Sequence, residues 1–140
     1  MKCSALAVLL AAGALALPAA AAGAPVPPVI HEPFTVLPCP AHPSSTLAIE
    51  GCAEKSILAG DRAIDARVSA IFSLLAPSAR SGFVHGETSW LRYRAASCTS
   101  EASKYAGGTL EPVVYGTCVA SRNRTHLEDL SDLEHTLTSH

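Results

Sequence analysis

The stretch Trp90-Leu91-Arg92-Tyr93-Arg94-Ala95-Ala96-Ser97-Cys98 decides the fold. Trp90, Arg94 and Cys98 recur every four residues, and in an α-helix side chains at i and i+4 stand above one another on one face. An aromatic, an arginine and a half-cystine on one helix face make a packing surface held by a covalent link. They do not make a catalytic constellation. The cysteine needs a partner, so the other cysteines come next.

The chain has five cysteines, and its first residues determine how many of them count. Lys2, the apolar run Leu6 to Leu17 and the small residues Ala20-Ala21-Ala22 predict a signal peptide over 1–22, cleaved after Ala22. The run is too short to span a membrane, and a Pro-rich stretch follows it instead of a stop-transfer pattern. Cys3 lies at the start of this signal, which argues against lipid attachment there. Cleavage leaves an even set, Cys39, Cys52, Cys98 and Cys118, in an exported, periplasmic or secreted chain where they can oxidise. Three pairings are possible, of which the two local ones, Cys39–Cys52 and Cys98–Cys118, are favoured. A bridge closing a loop of about 20 residues stabilises by about 3 kcal/mol in the chain-entropy account. A structural zinc would want two close C-x2-C pairs, which are absent, so neither metal nor any other cofactor is expected.

Composition narrows the partners. The hydrophobic fraction of 49% is inflated by the leading segment, so residues 23–140 should build one domain with a modest core. The formal charge of −2 becomes one unit more negative without Lys2. No basic patch of nucleic-acid-binding size exists, and mild acidity favours a cationic partner only weakly.

Residues 23–43 form a Pro-rich entry segment in which helix is blocked and extended chain favoured. The helical domain is assigned to 44–140. Ser44, Ser45 or Thr46 can cap a helical region from Leu47 to Ala76, whose Ile57, Ile64, Val68, Ile71, Phe72 and Leu75 follow the 3.6-residue period. Gly60 is a candidate break within it. Pro77 ends it and Ser78 can cap the next helix, which carries Phe83, Val84, Trp90, Leu91 and Cys98. Gly107-Gly108 is a turn, and Pro112 fits the start of a last helix running through Val119, Leu127, Leu130, Leu133 and Leu137. No alternating β-run and no internal repeat interrupt this pattern. The fold expected is all-α: a small antiparallel bundle of three to four helices stapled by two disulfides.

Two charged residues fall inside the apolar stripes. Asp61 lies four after Ile57 and three before Ile64, and Arg94 lies three after Leu91 and four before Cys98. A partly buried ion pair between neighbouring helices would suit arginine, whose planar fork can engage a carboxylate through two hydrogen bonds. Asp61 could equally cap a helix restarting after Gly60, and Glu87 is an alternative partner for Arg94 on its own helix. Trp90, Arg94 and Asp61 are therefore expected to be structural.

The pattern Leu47-x4-Cys52, Asp61-x-x-Ile64-Asp65, Trp90-x-x-Tyr93-Arg94-x-x-x-Cys98, Gly107-Gly108 and Cys118 resembles the LprI-like lysozyme-inhibitor family, small exported bacterial helical domains. The resemblance runs from about Phe34 to Leu130. It departs from the family pattern at Glu87 (often Gln), Ala95 (often Asp), Val68 (often Tyr) and His126 (matching an Arg). What it implies is binding and inhibition of lysozyme, protecting bacterial peptidoglycan. Lysozyme cleaves with two carboxylates in a cleft, so a rigid protein presenting a basic or hydrogen-bonding group there would block it. The solvent-facing Arg92, Lys104 and Tyr105, near the turn before Gly107, are the candidate contacts.

An enzyme is not expected. There is no G-x-S-x-G elbow, the six histidines show no H-x-x-x-H or H-E-x-x-H spacing and read as scattered surface residues, and oxidised cysteines supply no nucleophile. Asn123-Arg124-Thr125 matches the glycosylation sequon, a pattern frequent by chance. The competing function is an envelope interaction or structural module. In that reading the helix from His126 to His140, acidic at Glu128, Asp129, Asp132 and Glu134, offers its leucines to another protein. Packing of those leucines into the bundle is favoured.

Overall fold

A computed structural model describes residues 23–32, 34 and 36–139, and the signal-peptide reading of 1–22 falls outside them. Three α-helices carry the fold: α1 (Thr46–Leu74), α2 (Pro77–Ala102) and α3 (Glu111–Thr138), with a single 3₁₀ turn at Ser103–Tyr105. The described residues contain no strand. Helix α1 starts where expected, because the Ser45 hydroxyl accepts the Ala48 N–H at 3.2 Å and satisfies one of the free donors of the first turn. It runs unbroken through Gly60. A Cβ at that position would lie 3.0 Å from Asn123 Nδ2, so the glycine serves close approach of α3 and not a break.

Leu75 turns the chain to extended backbone, and Pro77 opens α2 at its first position, where the missing N–H costs nothing. This corrects the capping role expected of Ser78. The cap position is Ala76, with no side-chain cap bond, and Ser78 lies inside the helix.

The two-residue link makes α2 antiparallel to α1, and α3 then returns parallel to α1. Gly116 meets Ala53, Asn123 donates to Ile57 O at 3.4 Å, and Arg67 pairs with Glu134, so the two helices run in register over most of their length. Two apolar clusters fill the bundle. One holds Ile57, Cys98, Cys118 and Val119 with Phe34 and Tyr115 against it. The other holds Ile64, Val68, Ile71 and Leu130, flanked by Ile30, Phe83, Trp90, Leu127 and Leu137. Each fully buried aliphatic side chain contributes roughly 1.5–3 kcal/mol, which makes these clusters the main source of stability. Cys39–Cys52 and Cys98–Cys118 are bonded, as favoured from the sequence, with Cα–Cα distances of 4.6 and 5.6 Å.

Candidate functional site

Between the two apolar clusters lies a polar layer to which each helix contributes one residue. Arg94 of α2 donates through Nη1 to Asp61 Oδ1 of α1 at 2.6 Å and to Asn123 Oδ1 of α3 at 2.7 Å. Asn123 returns the contact by donating through Nδ2 to Asp61 Oδ1 at 2.9 Å. All three are at least nine-tenths buried. With Gly60 unbroken, the choice for Asp61 resolves to the ion pair. Glu87, the other partner considered for Arg94, instead accepts from His126 Nε2 at 2.9 Å. The His126 ring stacks on Trp90 with centroids 3.7 Å apart, and the Arg94 guanidinium lies 5.3 Å from the same indole.

The Pro-rich entry contributes a fourth element. It runs extended, antiparallel to α1. Ile30 N–H donates to Asp65 Oδ1 at 3.1 Å and Leu37 N–H to Glu54 Oε2 at 2.8 Å, before the Cys39–Cys52 bridge fixes its end. Between those bonds Glu32 Oε1 accepts from Arg94 Nη2 at 2.6 Å. Arg94 is thus bonded from three other elements of the chain through both terminal nitrogens and is 6% exposed, which turns it inward and away from an outside ligand. Asp61 Oδ2 has no hydrogen-bond partner among the described residues.

One guanidinium facing two carboxylates sets the charge balance. Burial pushes the Glu32 carboxyl above its ordinary value, the Arg94 charge pulls it back, and the Asp61 charge adds to the rise. Burial likewise raises the Tyr115 hydroxyl, helped by Glu32, so the phenol stays neutral. Because the folded protein holds the Glu32 proton more tightly than the unfolded chain, that group's contribution is fully present in acid and is lost as pH rises through its folded pKa. Glu32→Gln keeps an acceptor for Arg94 and removes this titration. Thermal melts across pH should show the variant gaining stability over the native protein as pH rises from the acid side, then holding a constant margin. A margin that shrinks as pH rises would contradict the assignment.

The exposed candidates fall in two places. Lys104 and Tyr105 lie in the 3₁₀ turn at the tip joining α2 to α3, and all residues from Ser103 to Leu110 are exposed. Arg92 is exposed on α2, twelve residues back, which is about 18 Å along the helix axis. The tip is tied together by its own bonds. Gly107 adopts φ 76°, a left-handed conformation that suits glycine, and its N–H donates to Glu111 Oε2 at 2.8 Å. Gly108 N–H donates to Tyr105 O at 2.9 Å.

Three members of the buried layer were not picked out in the sequence. His126 was grouped with surface histidines, and the structure corrects this: it is buried against Trp90 and Glu87. Asn123, noticed only as a sequon, is 1% exposed, with its amide nitrogen bonded to Asp61, so it is closed to glycan attachment in this fold. Both were legible in the spacing Val119, Asn123, His126, Leu130, a three-and-four rhythm with polar members. Glu32 had no such signal, since extended Pro-rich chain carries no helical period.

The family described as Lysozyme inhibitor LprI matches residues 39–130. No curated protein and no solved structure matches the chain. The matched span contains both disulfides, Asp61, Trp90, Arg94 and Asn123, while Glu32 lies before it. With about two-thirds of its length matched, including the core of all three helices, the chain belongs to the lysozyme inhibitor LprI family.

Proposed function

We propose that this chain binds lysozyme and blocks its attack on peptidoglycan, acting in the periplasm or outside the cell. The observation that carries this reading is the family match across residues 39–130. Physical support comes from rigidity: two disulfides and a buried ion-pair layer fix the backbone, so little ordering entropy is lost on binding. The disulfides fit an oxidising compartment, and no helix among the described residues is long and apolar enough to cross a membrane. Inhibition of a glycosidase needs only occlusion of its cleft, so the inhibitor requires no catalytic group of its own.

The test is clearing of a cell-wall suspension by lysozyme with and without the purified, oxidised protein. Slowed clearing at micromolar inhibitor is the expected result. Clearing that stays unchanged at micromolar excess over several lysozyme types would leave a helical envelope interaction module as the reading.

A further inference from the structure

The parallel course of α1 and α3 places their N-termini at the same end of the bundle as the C-terminus of α2. That end gathers exposed apolar side chains: Leu47 and Ile49 at the start of α1, Tyr105 in the tip and Leu110 just before α3 are each 40–56% exposed. Both disulfides brace the same end, one in the second turn of α1 and the other across the base of the α2–α3 tip. The remote end of α3 carries the exposed acids Glu128, Asp129 and Asp132 instead.

Within this end the tip stands out in shape and charge. Eight consecutive exposed residues form a knob-like connection between α2 and α3, tied together by internal hydrogen bonds with Cys98–Cys118 joining the two helices behind it. Lys104 carries the single charge between Ser103 and Leu110. Of the acids flanking it, Glu111 is turned to the Gly107 N–H, and Glu101 lies three residues back on the exposed surface, where an ion pair is weak. The ammonium is therefore available to a carboxylate in a partner.

We propose, resting on the lysozyme reading, that the Ser103–Leu110 knob is the part that enters the enzyme's cleft. A fully exposed element tied by its own hydrogen bonds can enter a concave site, and a glycosidase cleft offers a pair of carboxylates as counter-charge for Lys104. Tyr105 supplies a rigid aromatic that packs against the cleft wall, as interface tyrosines commonly do. Arg92, on the outer side of α2, stays outside the contact.

Lys104→Glu and Tyr105→Ala, both at exposed positions, separate this proposal from its premise. Lysozyme inhibition and calorimetric binding are measured for each beside the native protein, Arg92→Ala and Asp132→Lys, with melting curves to confirm equal folding. Each tip substitution should weaken inhibition about tenfold or more, with both distant substitutions within about twofold of native. Native inhibition that the tip variants retain in full would overturn the knob assignment and leave the lysozyme reading standing. A native protein that neither binds nor inhibits lysozyme would overturn both.

Discussion

An Arg94→Ala protein should melt roughly 10–20 °C below the native one, the largest effect expected of any single substitution in the polar layer. Asn123 Oδ1 and Glu32 Oε1 lose their donor at once, and Asp61 Oδ1 keeps only the Asn123 amide. Asp61 and Glu32 are then two carboxylates facing each other across a water-poor seam. Breaking a buried pair by removing one partner costs about 3–5 kcal/mol, because the remaining charge stays buried without compensation. Most of that cost is the stranded acids and not a lost attraction, so substituting an acid should hurt less. Asp61→Asn retains an acceptor for Arg94 and leaves Glu32 as its counter-charge, and its melting point should fall between native and Arg94→Ala. Circular dichroism melts of the three proteins check the order. An Arg94→Ala protein with native stability that had lost its partner would mean the arginine faces a ligand, contrary to its burial.

The same layer explains what could be read without coordinates. Helix boundaries followed from Ser45, Pro77 and Pro112, whose backbone chemistry is local. Asp61 and Arg94 stood out because a charge on an apolar stripe violates the period that surrounds it. Opposite charges on neighbouring helices made their pairing one reading, beside a cap at Asp61 and Glu87 as the partner of Arg94, and the structure selects it. Asn123 and His126 violate the same rhythm on α3, but the stripe Leu127, Leu130, Leu133 and Leu137 begins after them, and all of its leucines except Leu133 reach the core. The inward face runs through Val119, Asn123, His126 and Leu130, and Leu133 is 37% exposed.

Glu87 and His126 are bonded to each other across α2 and α3, with the His126 ring stacked on Trp90, a contact that neither residue signals when read alone. Glu32 remained invisible for a different reason. Its role depends on where an extended strap crosses α2, and no local rule encodes a contact 62 residues away in sequence.

Truncation after Thr125 should abolish cooperative folding. The removed segment carries Leu130, buried in the apolar cluster with Ile64, Val68 and Ile71, and Leu127 and Leu137, which pack against it. At roughly 1.5–3 kcal/mol for a fully buried leucine and somewhat less for the flanking two, the loss approaches the whole stability of about 5–15 kcal/mol typical of a domain. Two further costs follow. Glu87 stays buried without His126, and Trp90 loses the ring stacked on it. Arg67 also loses Glu134, a smaller term because that pair is partly solvated. The cluster of Ile57, Cys98, Cys118 and Val119 and both disulfides lie outside the deletion, so the product should be a partly helical chain that binds a hydrophobic dye and melts without a sharp transition. Leu133→Ala is the matching control: the residue is more than a third exposed, and the variant's melting point should stay within a few degrees of native. A truncated protein that folded with a sharp transition but no longer self-associated would show that the terminal leucines serve an interface. Their burial against Ile64, Val68 and Ile71 argues that they serve the bundle.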